Sequence, residues 1–126
     1  MTGKEFDPLT HQVIGCAIEV HRQLGPGLLE SVYRTCLAYE LSSVGRNCES
    51  ELPVPVQYKG IALECGFRMD LVVDGELVVE LKAVDALLPV HSAQLLTYLK
   101  LSGCRTGLLI NFNSKVLRDG IRRLAR

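Results

Sequence analysis

The sequence predicts an α/β fold built on a mixed sheet, and three observations predict it. Apolar residues recur at helical spacing over roughly the first third of the chain. From Leu52 to Val84 the period falls to two, with a hairpin signal at Asp74-Gly75. A helical segment then leads into the apolar run Thr106 to Phe112, the pattern of a crossover to a parallel strand. The predicted order is α-α-β-β-β-α-β-α, as one domain of 126 residues.

The first helix is expected from about Pro8 to Leu24. Asp7 suits its N-cap and Pro8 its first turn. Val13, Ile14, Ala17, Ile18, His21 and Leu24 share one face, and Gly25-Pro26-Gly27 ends it. The second helix, Leu28 to Val44, carries the stripe Leu29, Val32, Cys36, Tyr39 and Val44, flanked by Tyr33, Leu37 and Leu41. Leu52, Val54, Val56 and Tyr58 then read as a strand with Lys59-Gly60 as its turn. Pro53 and Pro55 remove ladder donors from one side of it, so that side borders solvent. Further strands are expected over 61–73 and 76–84, a helix over Pro89–Leu101, and an amphipathic C-terminal helix over Ser114–Leu124.

Composition excludes several function classes. Lys plus Arg and Asp plus Glu number 14 each, so no global field draws in a polyanion, and nucleic-acid contact must come from a local patch. The five cysteines are scattered, without a C-x-x-C pair, which argues against a disulfide framework, a zinc knuckle or an iron–sulfur cluster. Reduced thiols in a cytoplasmic protein are the expectation. No apolar run reaches membrane-spanning length, and Met1 to Asp7 lacks a signal-peptide core.

Polar residues inside apolar strands carry the chemistry. Glu80 and Lys82 alternate onto one face of Val78–Val84, and Asp70 is a lone acid in the preceding strand. Such charges are costly to bury unless paired or used; a cross-strand salt bridge is the plainer account. Two carboxylates and a lysine are also the set for metal-assisted phosphodiester hydrolysis. The acids bind a hard cation, the cation activates water, and the lysine orients that water or offsets developing charge. On the next helix His91, Gln94 and Tyr98 share a face, read either as part of the site or as a solvated face with Tyr98 capping the core. Glu30 and Tyr33 lie at i, i+3 after the glycine turn; Glu30 also suits the helix dipole.

Together these residues resemble a known family. Asp70 followed by Glu80-x-Lys82 resembles the PD-(D/E)XK nuclease signature, with Met69 where the signature has proline. Gln94-x-x-x-Tyr98 resembles the motif of its RecB-type branch. Gly27-x-x-Glu30-x-x-Tyr33 resembles the pattern naming the GxxExxY family, as do Val20-His21-Arg22, Pro89-Val90-His91 and Gly107 to Phe112. The resemblance implies a restriction-endonuclease-like αβββαβ core with an extra N-terminal helix and a C-terminal helix. It implies Asp70, Glu80 and Glu30 as metal ligands, with the Leu81 carbonyl sharing the cation, and Lys82 as the catalytic lysine beside Gln94 and Tyr98.

The leading reading is thus a Mg²⁺- or Mn²⁺-dependent nuclease, on DNA before RNA. The alternative is a catalytically inactive nucleic-acid- or protein-binding module on the same fold. A third class is a homodimeric interaction subunit. His21 reads as a core histidine, and the basic residues Lys115, Arg118, Arg122, Arg123 and Arg126 as a solvated face. Parity sets a condition on the site. A plain two-residue Asp74-Gly75 turn would pair Asp70 with Val79 and turn it away from Glu80. A three-residue loop Val73-Asp74-Gly75, with Gly75 left-handed, would pair Asp70 with Val78 and keep the acids on one face.

Overall fold

The computed structural model describes residues 7–64 and 66–126. Helix α1 (Pro8–Leu24) starts as expected: the Asp7 carboxylate accepts from the Leu9 N–H (3.1 Å) and the Thr10 hydroxyl (2.8 Å). Helix α2 (Glu30–Ser43) follows the Gly25-Pro26-Gly27 turn. Its buried face is Tyr33, Leu37 and Leu41, whereas Leu29, Val32, Tyr39 and Val44 are exposed. Two apolar stripes compete on this helix. The one holding Tyr33 wins because its ring stacks on Phe112 at 4.5 Å.

The sheet has the order β1-β4-β5-β6-β7. It comprises β1 (Cys48–Pro53), β4 (Arg68–Val73), β5 (Leu77–Lys82), β6 (Thr106–Asn111) and β7 (Ile121–Ala125), with β5 and β6 parallel and the other neighbours antiparallel. Helix α3 (Pro89–Ser102) makes the crossover. Leu71, Val73, Leu77, Val79, Leu81, Leu108 and Ile110 face α1 and α2, while Val72, Val78 and Leu109 face Leu95, Tyr98 and Leu99 of α3. A mixed sheet with helices on both faces is the α/β class that the sequence predicts.

Three expectations are corrected. The strand expected from Leu52 splits: β1 ends at Pro53 on the sheet edge, and β2 (Val56–Tyr58) pairs with β3 (Ile61–Leu63) in a separate ribbon. Pro53 and Pro55 supply no ladder donors, so the chain leaves the sheet there; the strand expected over 61–73 splits likewise into β3 and β4. The C-terminal helix is absent. A 3₁₀ turn (Leu117–Gly120) leads into β7 instead. Gly120 interrupts the expected helix, and β6, buried on both faces, takes its outer ladder bonds from β7.

Gly107 of β6 lets α3 approach the sheet: a Cβ there would come within 2.9 Å of Leu95. Gly107→Ala is expected to cost about 1–3 kcal/mol by overpacking, read by urea denaturation. A loss below about 0.5 kcal/mol would mean that Leu95 gives way freely.

Candidate active site

The hairpin joining β4 to β5 decides whether the acids can meet. Asp74 (φ 54°) and Gly75 (φ 68°) are both left-handed, as a mirror-image turn requires, and the Glu76 N–H donates to the Val73 carbonyl (3.0 Å). The turn is nevertheless bulged. Glu76 is an extra residue, and Val73 pairs with Leu77, Val72 with Val78 and Leu71 with Val79. The parity condition is met one residue later than expected, with the loop Asp74-Gly75-Glu76 in place of Val73-Asp74-Gly75. Asp70 therefore stands opposite Glu80, on the same face.

Ladder pairing between β4 and β5 stops at Leu71↔Val79, while β1 continues along β4 to Arg68 and β6 along β5 to Lys82. The sheet forks, and the carboxylates fill the fork. The Asp70 N–H donates to Glu80 Oε1 (3.0 Å), and Asp70 Oδ2 accepts from the Leu81 N–H (2.8 Å). Side chains thus take over bonds that the diverging backbones cannot make, which fixes both acids before any ligand arrives. Leu81, expected through its carbonyl, is recorded here through its N–H.

Glu80 is 4% exposed. Burial and the adjacent Asp70 charge push its pKa up to about 8. Burial also raises Asp70, opposed by the Leu81 N–H bond and the Lys82 charge. Lys82 is half-buried on the same face. Tyr98 reaches the cluster from α3: it is buried, and its hydroxyl is held above its usual range by burial and then by the charges of Glu80 and Asp70. Gln94, one turn earlier, is half-buried and makes no hydrogen bond among the described residues. His91 has another job: its Nδ1 accepts the Leu88 N–H (3.0 Å), capping α3.

Glu30 approaches from α2, close enough that its charge helps to raise Asp70. Its Oε2 accepts the Ala83 N–H (3.2 Å), holding the chain just beyond Lys82. Among the described residues no group of three or more His, Cys, Asp or Glu side chains is placed to hold a metal ion. Two acids without a third suit a hard cation that keeps waters or takes oxygen from a phosphate, the habit of Mg²⁺. Burial first and the Asp70 charge second disfavour an ionised Glu80, and a bound cation would offset both.

Two residues without an expected role support the site. Asn111, buried at the end of β6, accepts the Val84 N–H (3.1 Å) and donates to the Val84 carbonyl (2.9 Å), clamping the segment after Lys82. Asn113 accepts the Gly27 N–H (2.9 Å), tying the glycine turn to the same end of the sheet. The sequence signals for Asn111 are a lone amide closing an apolar run and its place in the Gly107 to Phe112 stretch. His21 is the satisfied histidine expected, its Nε2–H donating to the Ser114 carbonyl (2.8 Å).

Tyr33 is structural. Its hydroxyl donates to the Gly25 carbonyl (2.6 Å) and accepts the Leu28 N–H (3.1 Å), so it closes the turn that starts α2 at Glu30. Tyr33→Phe keeps the stack on Phe112 and is expected to cost about 1–2 kcal/mol in denaturant unfolding. A loss below about 0.5 kcal/mol would show that the turn is not held through this hydroxyl.

Fold and site together define the class: an α/β protein with a carboxylate pair and a lysine on its central strands. The family model of the PD-(D/E)XK nuclease superfamily matches residues 7–124, and the chain belongs to that superfamily. No curated protein and no solved structure matches it. No helix among the described residues is long and apolar enough to cross a membrane.

Proposed function

We propose that this protein hydrolyses phosphodiester bonds in nucleic acid, DNA before RNA, using Mg²⁺ or Mn²⁺ held by Asp70 and Glu80 with the Leu81 carbonyl. The observation that carries this reading is the buried Asp70–Glu80 pair in the sheet fork, fixed by reciprocal backbone bonds with Lys82 beside it. Burial of two adjacent acids destabilises a fold and calls for compensating charge.

When bound, the cation supplies Lewis acidity and a water of lowered pKa. The residues of the chain do the rest. Asp70 and Glu80 present oxygens from adjacent strands. Lys82 offsets charge developing on the phosphate or orients the attacking water. Tyr98 walls the cluster on the α3 side, and Gln94 above it positions substrate. Glu30 and Asn111 hold the backbone around Lys82, so the ammonium stays on the acid face. Within the superfamily, the spacing of Gly27, Glu30 and Tyr33 and of Gln94 and Tyr98 favours the GxxExxY group and its RecB-type branch.

The test is cleavage of plasmid, linear duplex and single-stranded DNA, and of RNA, with Mg²⁺, with Mn²⁺ and with EDTA. Metal-dependent cleavage that is lost in Lys82→Ala is expected. Mn²⁺ binding with no cleavage of any substrate would overturn the hydrolase reading and leave a nucleic-acid- or protein-binding module.

A further inference from the structure

Arg34 and Glu51 flank the carboxylate pair without belonging to it. Arg34 lies one turn after Glu30 on α2, so the two share a helix face, and its positive charge reaches Asp70. Its side chain is 21% exposed, and among the described residues it makes no hydrogen bond. The charge it meets is Glu51, across a loose 3.7 Å ion pair in which the Glu51 side chain is 57% exposed.

The backbone of Glu51 is turned to make that contact. Glu51 sits in mid-strand β1 between the registered pairs Ser50↔Leu71 and Leu52↔Met69, hence opposite Asp70. Regular alternation would put its carboxylate on the Asp70 face, as a third acid beside Asp70 and Glu80. Its φ is instead 53°, a left-handed value that costs a non-glycine residue. The carboxylate is found against Arg34. Strain, a loose pair and an arginine with open donors are poor economy for a structural bridge. They suit a guanidinium parked on a weak partner beside a site for phosphate.

We infer that Arg34 binds a backbone phosphate of the nucleic acid, and that Glu51 is the counter-ion it leaves when that phosphate enters. The inference rests on the nucleic-acid reading above. A guanidinium fork matches phosphate oxygens in two parallel bonds, which a single carboxylate oxygen at 3.7 Å does not use. As an open counter-ion, Glu51 also lowers affinity for polyanions that do not reach the acid pair.

The experiment measures binding of fluorescein-labelled duplex and single-stranded oligonucleotides by the full chain in a Lys82→Ala background with Ca²⁺, across a series of NaCl concentrations. Arg34→Gln is expected to weaken binding about ten-fold, the scale of a charged hydrogen-bonded contact, and to reduce the slope of log affinity against log salt by about one. Arg34→Lys should keep the slope and recover part of the affinity. Glu51→Gln should tighten binding several-fold, and in an Arg34→Gln background the gain should be much smaller. A purely structural pair predicts the reverse: both single variants weaken binding and lower the unfolding temperature together, with no change in salt slope. That result overturns the inference while leaving the function standing. Absence of any oligonucleotide binding by the parent protein overturns both.

Discussion

Lys82→Ala is expected to reduce metal-dependent cleavage by about 10²–10³-fold or more, the scale for deleting one preorganised group that stabilises transition-state charge. Its fold should remain. Lys82 is half-buried and makes no ion pair within 4 Å among the described residues, so no buried partner is stranded by its removal. Its backbone carbonyl, which accepts the Phe112 N–H (2.8 Å), is untouched. The charge itself is what goes, and that charge currently favours the ionised forms of both Asp70 and Glu80. Mn²⁺ binding should therefore persist, somewhat weakened at neutral pH, while turnover collapses. Calorimetric titration with Mn²⁺ alongside a cleavage time course separates the two. Cleavage at the parental rate by the purified variant would remove Lys82 from the mechanism and point to a contaminating nuclease.

The parts of this site that were legible in the sequence are those where a local rule meets no competitor. Asp7 before Pro8 marks the start of α1, and the structure starts it there. A lone acid in each of two apolar strands marks Asp70 and Glu80, hairpin parity allows them one face only if the Asp-Gly turn is not a plain two-residue one, and they are joined there. The hairpin also shows the limit of that rule. Asp74-Gly75 makes the turn its residues favour, and Glu76 is then squeezed out as a bulge because Leu77 must enter the core. Where two patterns competed, tertiary packing decided. Helix α2 offers two apolar stripes, and only the partner Phe112, remote in sequence, selects between them. The C-terminal segment has helical periodicity, but β6 requires an outer neighbour, and that demand appears only once the sheet is assembled. Asn111, Arg34 and Glu51 act through partners at least 17 residues away in sequence, so no local spacing announces them.

Glu80→Gln is expected to stabilise the metal-free protein at pH 8 and to abolish its response to metal. In the unfolded chain this carboxyl titrates near 4.5, and in the fold burial and Asp70 hold it at about 8. Between those values the folded protein keeps a proton that the unfolded chain has released. Stability is therefore fully present below about pH 4.5 and falls as pH rises toward 8. Asp70, raised in the same direction, adds to the decline. The loss for the parent protein in EDTA should reach a few kcal/mol, lowering Tm between pH 5.5 and 8.5 on the order of 5–10 °C. Gln at this position removes the charge but keeps an oxygen to accept the Asp70 N–H, so its Tm should change much less over the same range. Saturating Mn²⁺ binds the folded form alone and should restore the parent's Tm at pH 8, releasing a proton as it does so below that pH. The variant, short of one of its two acids, should gain little. A parent Tm that is flat with pH in EDTA would show that the two carboxyls are not forced together in the folded state. Equal stabilisation of parent and variant by Mn²⁺ would place the cation elsewhere on the protein.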